Sequence, residues 1–227
     1  MKKIGITGAR GFIGSHLAEA IEDPIIFKWN LDHLDSVRDF VKQCDRIYHV
    51  AGKNREKFDG MILKNNLIGT ANLILAMNLE NKFPELIFIS STQVEWNPTC
   101  EYSIAKFLEE QAVKETKKWC IYRVPNVYGP GCLPYYNSVV ATFCYQIATG
   151  EPLSIKTPKD LRNYIYVKDL VSSLLDPKFN EYKRPLGQAL TVREVADFLT
   201  VKLGKHRKLQ TTLKSYIKEA NTHEPYP

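Results

Sequence analysis

Tyr102 and Lys106 stand four residues apart in Glu101-Tyr102-Ser103-Ile104-Ala105-Lys106. On a helix that spacing puts a phenol and an ammonium on one face. The ammonium favours phenolate and draws the phenol down from its usual pKa of about 10. Such a tyrosine can give or take a proton near neutral pH. The pair alone is common by chance. Upstream, the apolar run Leu86-Ile87-Phe88-Ile89 reads as a strand and ends in Ser90-Ser91-Thr92, so hydroxyls stand where a strand opens onto a ligand.

A second constellation opens the chain: Thr7-Gly8-Ala9-Arg10-Gly11-Phe12-Ile13-Gly14. Lys3 to Ile6 before it reads as a strand. Ser15 to Glu22 after it reads as a helix, with Ile13, Leu17 and Ile21 on one face. A glycine turn between strand and helix brings backbone N–H groups and a helix N-terminus against a phosphate, the geometry of a dinucleotide site. Gly8 serves the turn, Gly11 the close approach and Gly14 the helix-on-strand packing. The second strand, Ile25 to Phe27, ends in Lys28-Trp29-Asn30, where NAD sites place an acid for the ribose 2′-OH. Arg10 and Lys28 could meet a 2′-phosphate, so NADPH is favoured over NADH; both are also cations that a surface carries anyway. Asp32 comes late for the ribose acid and falls near the adenine.

These residues need a parallel α/β frame. Helices are expected over Leu34 to Lys42, Met61 to Asn78, from Glu101, over Asn137 to Thr149, Lys168 to Leu175 and Thr191 to Leu203, the last opened by a Thr191/Glu194 capping box. Strands are expected at Arg46 to Gly52 and Trp119 to Val124, with Pro152 to Ile155 a short strand outside the main sheet. His49, inside an apolar run, reads as a packed strand residue. Asn66 interrupts its helix as a solvated position, or one that bonds backbone. The tail from Gly204 reads as basic, then irregular.

The chain has 227 residues, 44% of them hydrophobic, with a net charge of +6. No apolar run is long enough to cross a bilayer. The first strand begins almost at once, which leaves no room for a signal peptide. Five cysteines without metal-like spacing point to free thiols in the cytoplasm and to no metal. The basic cluster Lys202, Lys205, Arg207 and Lys208 reads as a solvated face, not a nucleic-acid patch.

In order along the chain, Thr7 to Gly14, His49 to Gly52, Asn66 with Gly69-Thr70, Ser90-Ser91, Tyr102/Lys106, Arg123 to Pro130 and Arg162 to Asp169 resemble the extended short-chain dehydrogenase/reductase superfamily. The resemblance implies a Rossmann-type doubly wound parallel sheet, α/β in class, with a small C-terminal substrate-binding lobe. The core would take 1–125 and 163–176, the lobe 126–162 and 177–227. Ala51 to Arg55, Tyr122 to Asn126 and Tyr136 to Tyr145 look more narrowly like the reductase domain of capsular enzymes that make UDP-N-acetyl-L-fucosamine. Those reduce the C4 ketone of a UDP-2-acetamido-2,6-dideoxy-hexulose with NADPH and usually carry a cupin epimerase domain, here a possible separate partner.

By resemblance, Ser91, Tyr102 and Lys106 are catalytic. Gly8, Arg10, Gly11, Phe12, Ile13, Gly14, Lys28, Asp32, Ala51, Gly52 and Arg123 join Tyr102 and Lys106 around NADPH. Ser91, Thr92, Asn126, Asn137 and Arg162 face a UDP- or dTDP-linked keto-sugar. Superfamily dimers pair the helices after Asn66 and Tyr102 across a dyad, which implies a homodimer. Val94-Glu95-Trp96 replaces the family's Val-Tyr-Gly, so substrate contacts there differ. Thr92-Gln93 lacks the carboxylate that a 4,6-dehydratase needs. An epimerase with retained NAD, and a non-catalytic NADP-binding member, are the rival readings; the second has no need of Tyr102 and Lys106.

Overall fold

The computed structural model describes residues 2–95, 98–201 and 206–221. The chain divides into one unit of Met1–Val124 with Val171–Pro185 and another of Pro125–Leu170 with Leu186–Pro227. The expected division gave 163–176 to the core and 177–227 to the lobe. Residues 163–170 fall instead in the second unit, and 177–185 in the first, where a strand at Glu181–Lys183 pairs in the main sheet.

The first unit runs β1 (Ile4–Thr7), α1 (Phe12–Ala20), β2 (Ile25–Ile26), α2 (Leu34–Gln43), β3 (Arg46–His49), α3 (Met61–Leu79), β4 (Glu85–Ser91), α4 (Glu101–Lys114), β5 (Trp119–Val124) and β8 (Glu181–Lys183). Its six strands lie parallel in the order β2-β1-β3-β4-β5-β8. The chain leaves β1 toward β2 and returns past it to β3, so the order reverses between β1 and β3. Ligands of open α/β sheets bind outside the strands' carboxyl ends at such a reversal. β4 is buried at every position, as a central parallel strand must be. Val37, Phe40 and Val41 of α2, with Leu73, Ala76 and Met77 of α3, pack with Ile47, Leu86, Phe88 and Ile121 of the sheet.

Glu85 opens β4 among three cations, Lys2 at 2.7 Å, Lys118 at 2.5 Å and Arg46 at 2.7 Å. Burial opposes its ionisation, but Lys118, Lys2 and Arg46 outweigh that and hold the carboxyl down at about 2. A carboxylate depressed in the folded state stabilises above its unfolded pKa, and that stability fades as pH falls toward the folded value. We expect Glu85 to contribute about 2–3 kcal/mol at neutral pH, lost between roughly pH 5 and 2. Denaturant unfolding of Glu85→Gln across that range should show a flatter loss of stability than the parent. An equal loss in both would remove Glu85 from the acid transition.

In the second unit, β6 (Asn126–Tyr128), β7 (Leu161–Tyr166) and β9 (Gln188–Thr191) form a sheet in that order. β6 and β7 are parallel; β7 and β9 are antiparallel. Its helices are α5 (Val139–Thr149), the start of α6 (Val167–Leu174), whose residues from Val171 on count with the first unit, α7 (Val192–Thr200) and α8 (Arg207–Asn221). The strand expected at Pro152 to Ile155 does not form. Pro152 has no N–H to offer a ladder, and the Ser154 N–H is taken by the Gln146 side chain at 3.2 Å. The tail expected to be irregular holds α8 instead. Its Leu209, Leu213 and Tyr216 are buried at helical spacing, and the Tyr216 hydroxyl donates to the Cys132 carbonyl. Ser138 caps α5, and the Thr191/Glu194 box opens α7. Lys202 and Lys205 of the basic cluster, and Trp96, lie outside the described residues.

Candidate active site

The glycine turn joins β1 to α1 with little free space. Gly8 has φ +72°, and a Cβ on it would lie 2.6 Å from the Ala51 nitrogen. A Cβ on Gly14 would lie 2.1 Å from the Gly8 carbonyl oxygen. The turn therefore sits tight against α1 and the end of β3. Gly11 is the N-cap of α1 and uses no side chain to cap it. Phe12 and Ile13 open the helix, half-buried. Such a turn, with helix N–H groups free at its mouth, fits the diphosphate of a dinucleotide.

Arg10 and Lys28 are both exposed, and Arg10 Nη2 donates to the Lys28 carbonyl at 3.4 Å. The Arg10 guanidinium thus lies against the backbone of Lys28, just past the end of β2. Asp32 accepts from Asn30 Nδ2 at 2.9 Å and stays exposed.

Beyond β3 the chain passes through Ala51 and Gly52. Asn66 of α3 is buried, not solvated. Its Oδ1 accepts from the Lys53 N–H at 2.7 Å and its Nδ2 donates to the Lys53 carbonyl at 2.8 Å. That clamp holds the segment after β3 against α3. A Cβ on Gly52 would come 3.1 Å from Lys106 Nζ, so the ammonium lies beside the end of β3.

Ser91 ends β4 and Tyr102 opens α4. Ser91 Oγ accepts from the Gln93 N–H at 3.2 Å and lies near enough to the Tyr102 phenol to act on its ionisation. Burial raises the phenol above its ordinary value; Lys106 lowers it, Glu109 raises it, and Ser91 lowers it. The outcome is a raised phenol. The Tyr102/Lys106 spacing taken alone predicts the opposite, because burial, the largest influence, is not visible in it and it does not include Glu109.

Lys106 is buried, its ammonium 4.5 Å from the centroid of the Phe88 ring. Glu109, one helical turn on, faces it with Oε2 at 3.1 Å. Glu109 Oε1 accepts from Thr70 Oγ1 at 2.6 Å, and Thr70 Oγ1 is 3.0 Å from His49 Nε2. His49 Nδ1 in turn is 2.8 Å from Thr7 Oγ1, which accepts from the Ala51 N–H at 3.3 Å. His49 is thus a packed strand residue, as expected, but also a link in a buried polar chain.

Arg123 of β5 lies in the first unit with its donors committed. Nε and Nη2 go to the two oxygens of Glu110 at 3.0 and 2.6 Å. Glu110 also accepts from Ser90 Oγ at 2.6 Å. Arg123 Nη1 lies 3.7 Å from Glu95. The Glu95 that departs from the family pattern is held by Arg184 Nε at 2.5 Å. Thr92 begins a 3₁₀ turn after β4 and is half-buried.

In the second unit, Asn126, Asn137 and Arg162 are all exposed. Asn126 Nδ2 donates to the Asn163 carbonyl at 3.0 Å, and Arg162 pairs with Asp160 at 3.1 Å. The structure thus brings Ser91, Tyr102 and Lys106 together with the end of β3. Thr7 and Thr70 stand in the sequence pattern as part of the glycine turn and of a helix, without the buried bonds they make; Glu109 is the addition, and its signal is its place at i+3 from Lys106, where a helix makes neighbours.

Among the described residues no helix is long and apolar enough to cross a membrane, and no group of His, Cys, Asp or Glu could hold a metal ion.

The chain is 30% identical over 183 residues to the UDP-2-acetamido-2,6-beta-L-arabino-hexul-4-ose reductase of Pseudomonas aeruginosa, covering 76% of this chain and 48% of that protein. It is 25% identical to UDP-glucuronic acid decarboxylase 1 of Arabidopsis thaliana, covering 81% and 53%. The chain therefore spans about half the length of these relatives. Among solved structures it superposes on CapF, a capsular polysaccharide assembling protein from Staphylococcus aureus, with TM-score 0.76 and 25% identity, covering 99% and 67%. RMD from Pseudomonas aeruginosa, complexed with NADPH, shares the fold with TM-score 0.82 and 19% identity, covering 99% and 100%. The model of the NAD dependent epimerase/dehydratase family matches residues 4–175, from the glycine turn through the Tyr-Lys helix and beyond β7, and the chain belongs to that family.

Proposed function

We propose that this chain reduces the C4 ketone of a nucleotide-linked 6-deoxy-4-keto hexose, a 2-acetamido sugar by the likeness to the Pseudomonas reductase.

 The single observation that supports this most is the junction of Ser91, the Tyr102 phenol and the Lys106 ammonium beside Gly52 at the carboxyl ends of β4 and β3. The glycine turn would hold the diphosphate of NADPH, with Arg10 and Lys28 on its 2′-phosphate, Asp32 near the adenine, and Ala51 and Gly52 along its length. When bound, NADPH supplies the hydride that the C4 carbon receives. Tyr102 gives its proton to the carbonyl oxygen, and Ser91 hydrogen-bonds the same oxygen. Lys106 holds the ribose. Thr92, Asn126 and Asn137 contact the UDP- or dTDP-sugar, with the planar fork of Arg162 on its diphosphate. Arg123, expected beside the cofactor, has its fork on Glu110 and serves as a brace for α4.

The reaction would serve the synthesis of surface polysaccharide precursors in the cytoplasm. A homodimer is part of the reading. Ile68 and Leu75 of α3, with Ile104, Phe107 and Leu108 of α4, leave apolar surface exposed on the two helices that superfamily dimers pair.

The cofactor preference has its own test. Removing both cations in Arg10→Ala/Lys28→Ala should weaken NADPH binding by about tenfold or more, with NADH changed little. Equal weakening of both dinucleotides would detach the two cations from the 2′-phosphate. The activity is tested by mixing the 4-keto-sugar with NADPH and following absorbance. Loss of one NADPH per sugar supports the reductase. Conversion without net NADPH loss would indicate the epimerase, and no turnover of any keto-sugar the non-catalytic reading.

A further inference from the structure

The buried chain running from Lys106 to Ala51 has a single consistent set of protons. A carboxylate cannot donate, so Thr70 gives its only hydroxyl proton to Glu109 Oε1. Thr70 then accepts from His49, which places the ring proton on Nε2. Burial first, and the Lys106 charge second, push the imidazole down to about 3, so it carries one proton only. His49 Nδ1 therefore accepts from Thr7, and Thr7 accepts from the Ala51 N–H. The far end is the Glu109–Lys106 ion pair at 3.1 Å, with both side chains almost wholly buried. Glu109 Oε2 has no hydrogen-bond partner and faces the ammonium alone. A buried carboxylate that only neutralised a cation would need none of the upstream links, which fix where its charge sits.

We propose that Glu109 is a positioning residue for proton donation: held by Thr70, His49 and Thr7, it offsets the charge of Lys106 and keeps Tyr102 a neutral phenol, suited to reducing a carbonyl and unsuited to starting an oxidation. This rests on the reductase reading and deepens it. In reduction the carbonyl carbon gains the hydride pair that the dinucleotide supplies. The C=O π pair moves to oxygen, and that oxygen takes the Tyr102 proton, leaving a phenolate that solvent reprotonates. An oxidation would instead need the phenolate at the outset. The groups facing the phenol are Ser91 from β4, Cys100 at the N-cap of α4, and Lys106 and Glu109 from α4 itself. His49 of β3 and Thr70 of α3 face the ion pair and carry no charge. Glu101 and Glu110 are turned away, to the Leu63 N–H and to Arg123.

The test is a titration of Tyr102 by its near-ultraviolet phenolate band, taken as the difference between each protein and the same protein carrying Tyr102→Phe. It needs neither sugar nor turnover, so it can fail while the reductase reading stands, and the reverse. Glu109→Gln should lower the midpoint by about one unit or more. The alkaline limb of kcat for reduction should move down with it, because the donor is lost at lower pH. A midpoint that stays or rises overturns the proposal. If Glu109→Gln leaves Lys106 unpaired and does not fold, Lys106→Met/Glu109→Gln leaves no charge behind and decides instead. Compensation predicts a midpoint within about half a unit of the parent. Any larger rise would mean that Lys106 acts on Tyr102 uncompensated, and overturns it.

Discussion

Tyr102→Phe should lose turnover by about a hundredfold to ten-thousandfold while binding NADPH as the parent does. The change removes one oxygen and leaves the ring. No other phenol is placed against Ser91 by the bonds described, so no neighbour is positioned to take over the proton transfer. The Lys106 and Glu109 pair, one turn along α4, stays in place, so the fold should keep its stability. Two measurements check this: the single-turnover rate with a 4-keto-sugar, and the dissociation constant for NADPH. Turnover within about tenfold of the parent would take Tyr102 out of the proton-donating role. Loss of cofactor binding in step with turnover would make it a structural residue of the cofactor site.

Gly14→Ala should damage binding through shape alone. Its new methyl would stand 2.1 Å from the Gly8 carbonyl oxygen and 2.9 Å from the Ala9 Cα, both backbone atoms that cannot rotate aside. Either α1 moves off the turn or the turn opens. Overpacking of this kind costs about 1–3 kcal/mol, occasionally more, which for a chain of this size lowers Tm by roughly 3–10 °C. The same movement displaces the N–H groups meant for the diphosphate, so NADPH affinity should fall by about tenfold or more. Gly11→Ala is the comparison, since its methyl would meet the same oxygen at 3.3 Å. It should lose far less. Equal effects from the two would mean that the fit of α1 on the turn does not govern binding.

Short-range pattern made much of the first unit legible before the structure. The strand, glycine turn and helix at the N-terminus announce themselves by composition and spacing. So do the buried run of β4 and the Tyr102/Lys106 pair at i, i+4. The strands β6, β8 and β9 are three or four residues long and owe their existence to partners far away in sequence, so no local period marks them. Helix α8 did carry a signal, Leu209, Leu213 and Tyr216 at spacings of four and three, hidden among seven polar and charged neighbours between Arg207 and Ser215.

The grouping of Ser91, Tyr102 and Lys106 was legible in the sequence; its electrostatics were not. Spacing puts Lys106 beside Tyr102, and from that alone the phenol should be acidified. Burial and Glu109 reverse the direction, and both depend on packing between α3, α4 and β3. Asn66 likewise reads in sequence as an interruption, and in the fold as the clamp on Lys53. Polar residues in the middle of apolar segments, His49, Asn66 and Thr70, prove to be the ones that arrange the site.

Hydride transfer to the sugar is the central claim, and isotope labelling tests it most directly. With NADPH deuterated at the transferring position of its nicotinamide, a 4-keto-sugar should yield a product that carries deuterium at C4 and one NADP for each sugar. A product without the label, or a sugar returned unreduced with its cofactor unchanged, would contradict the account.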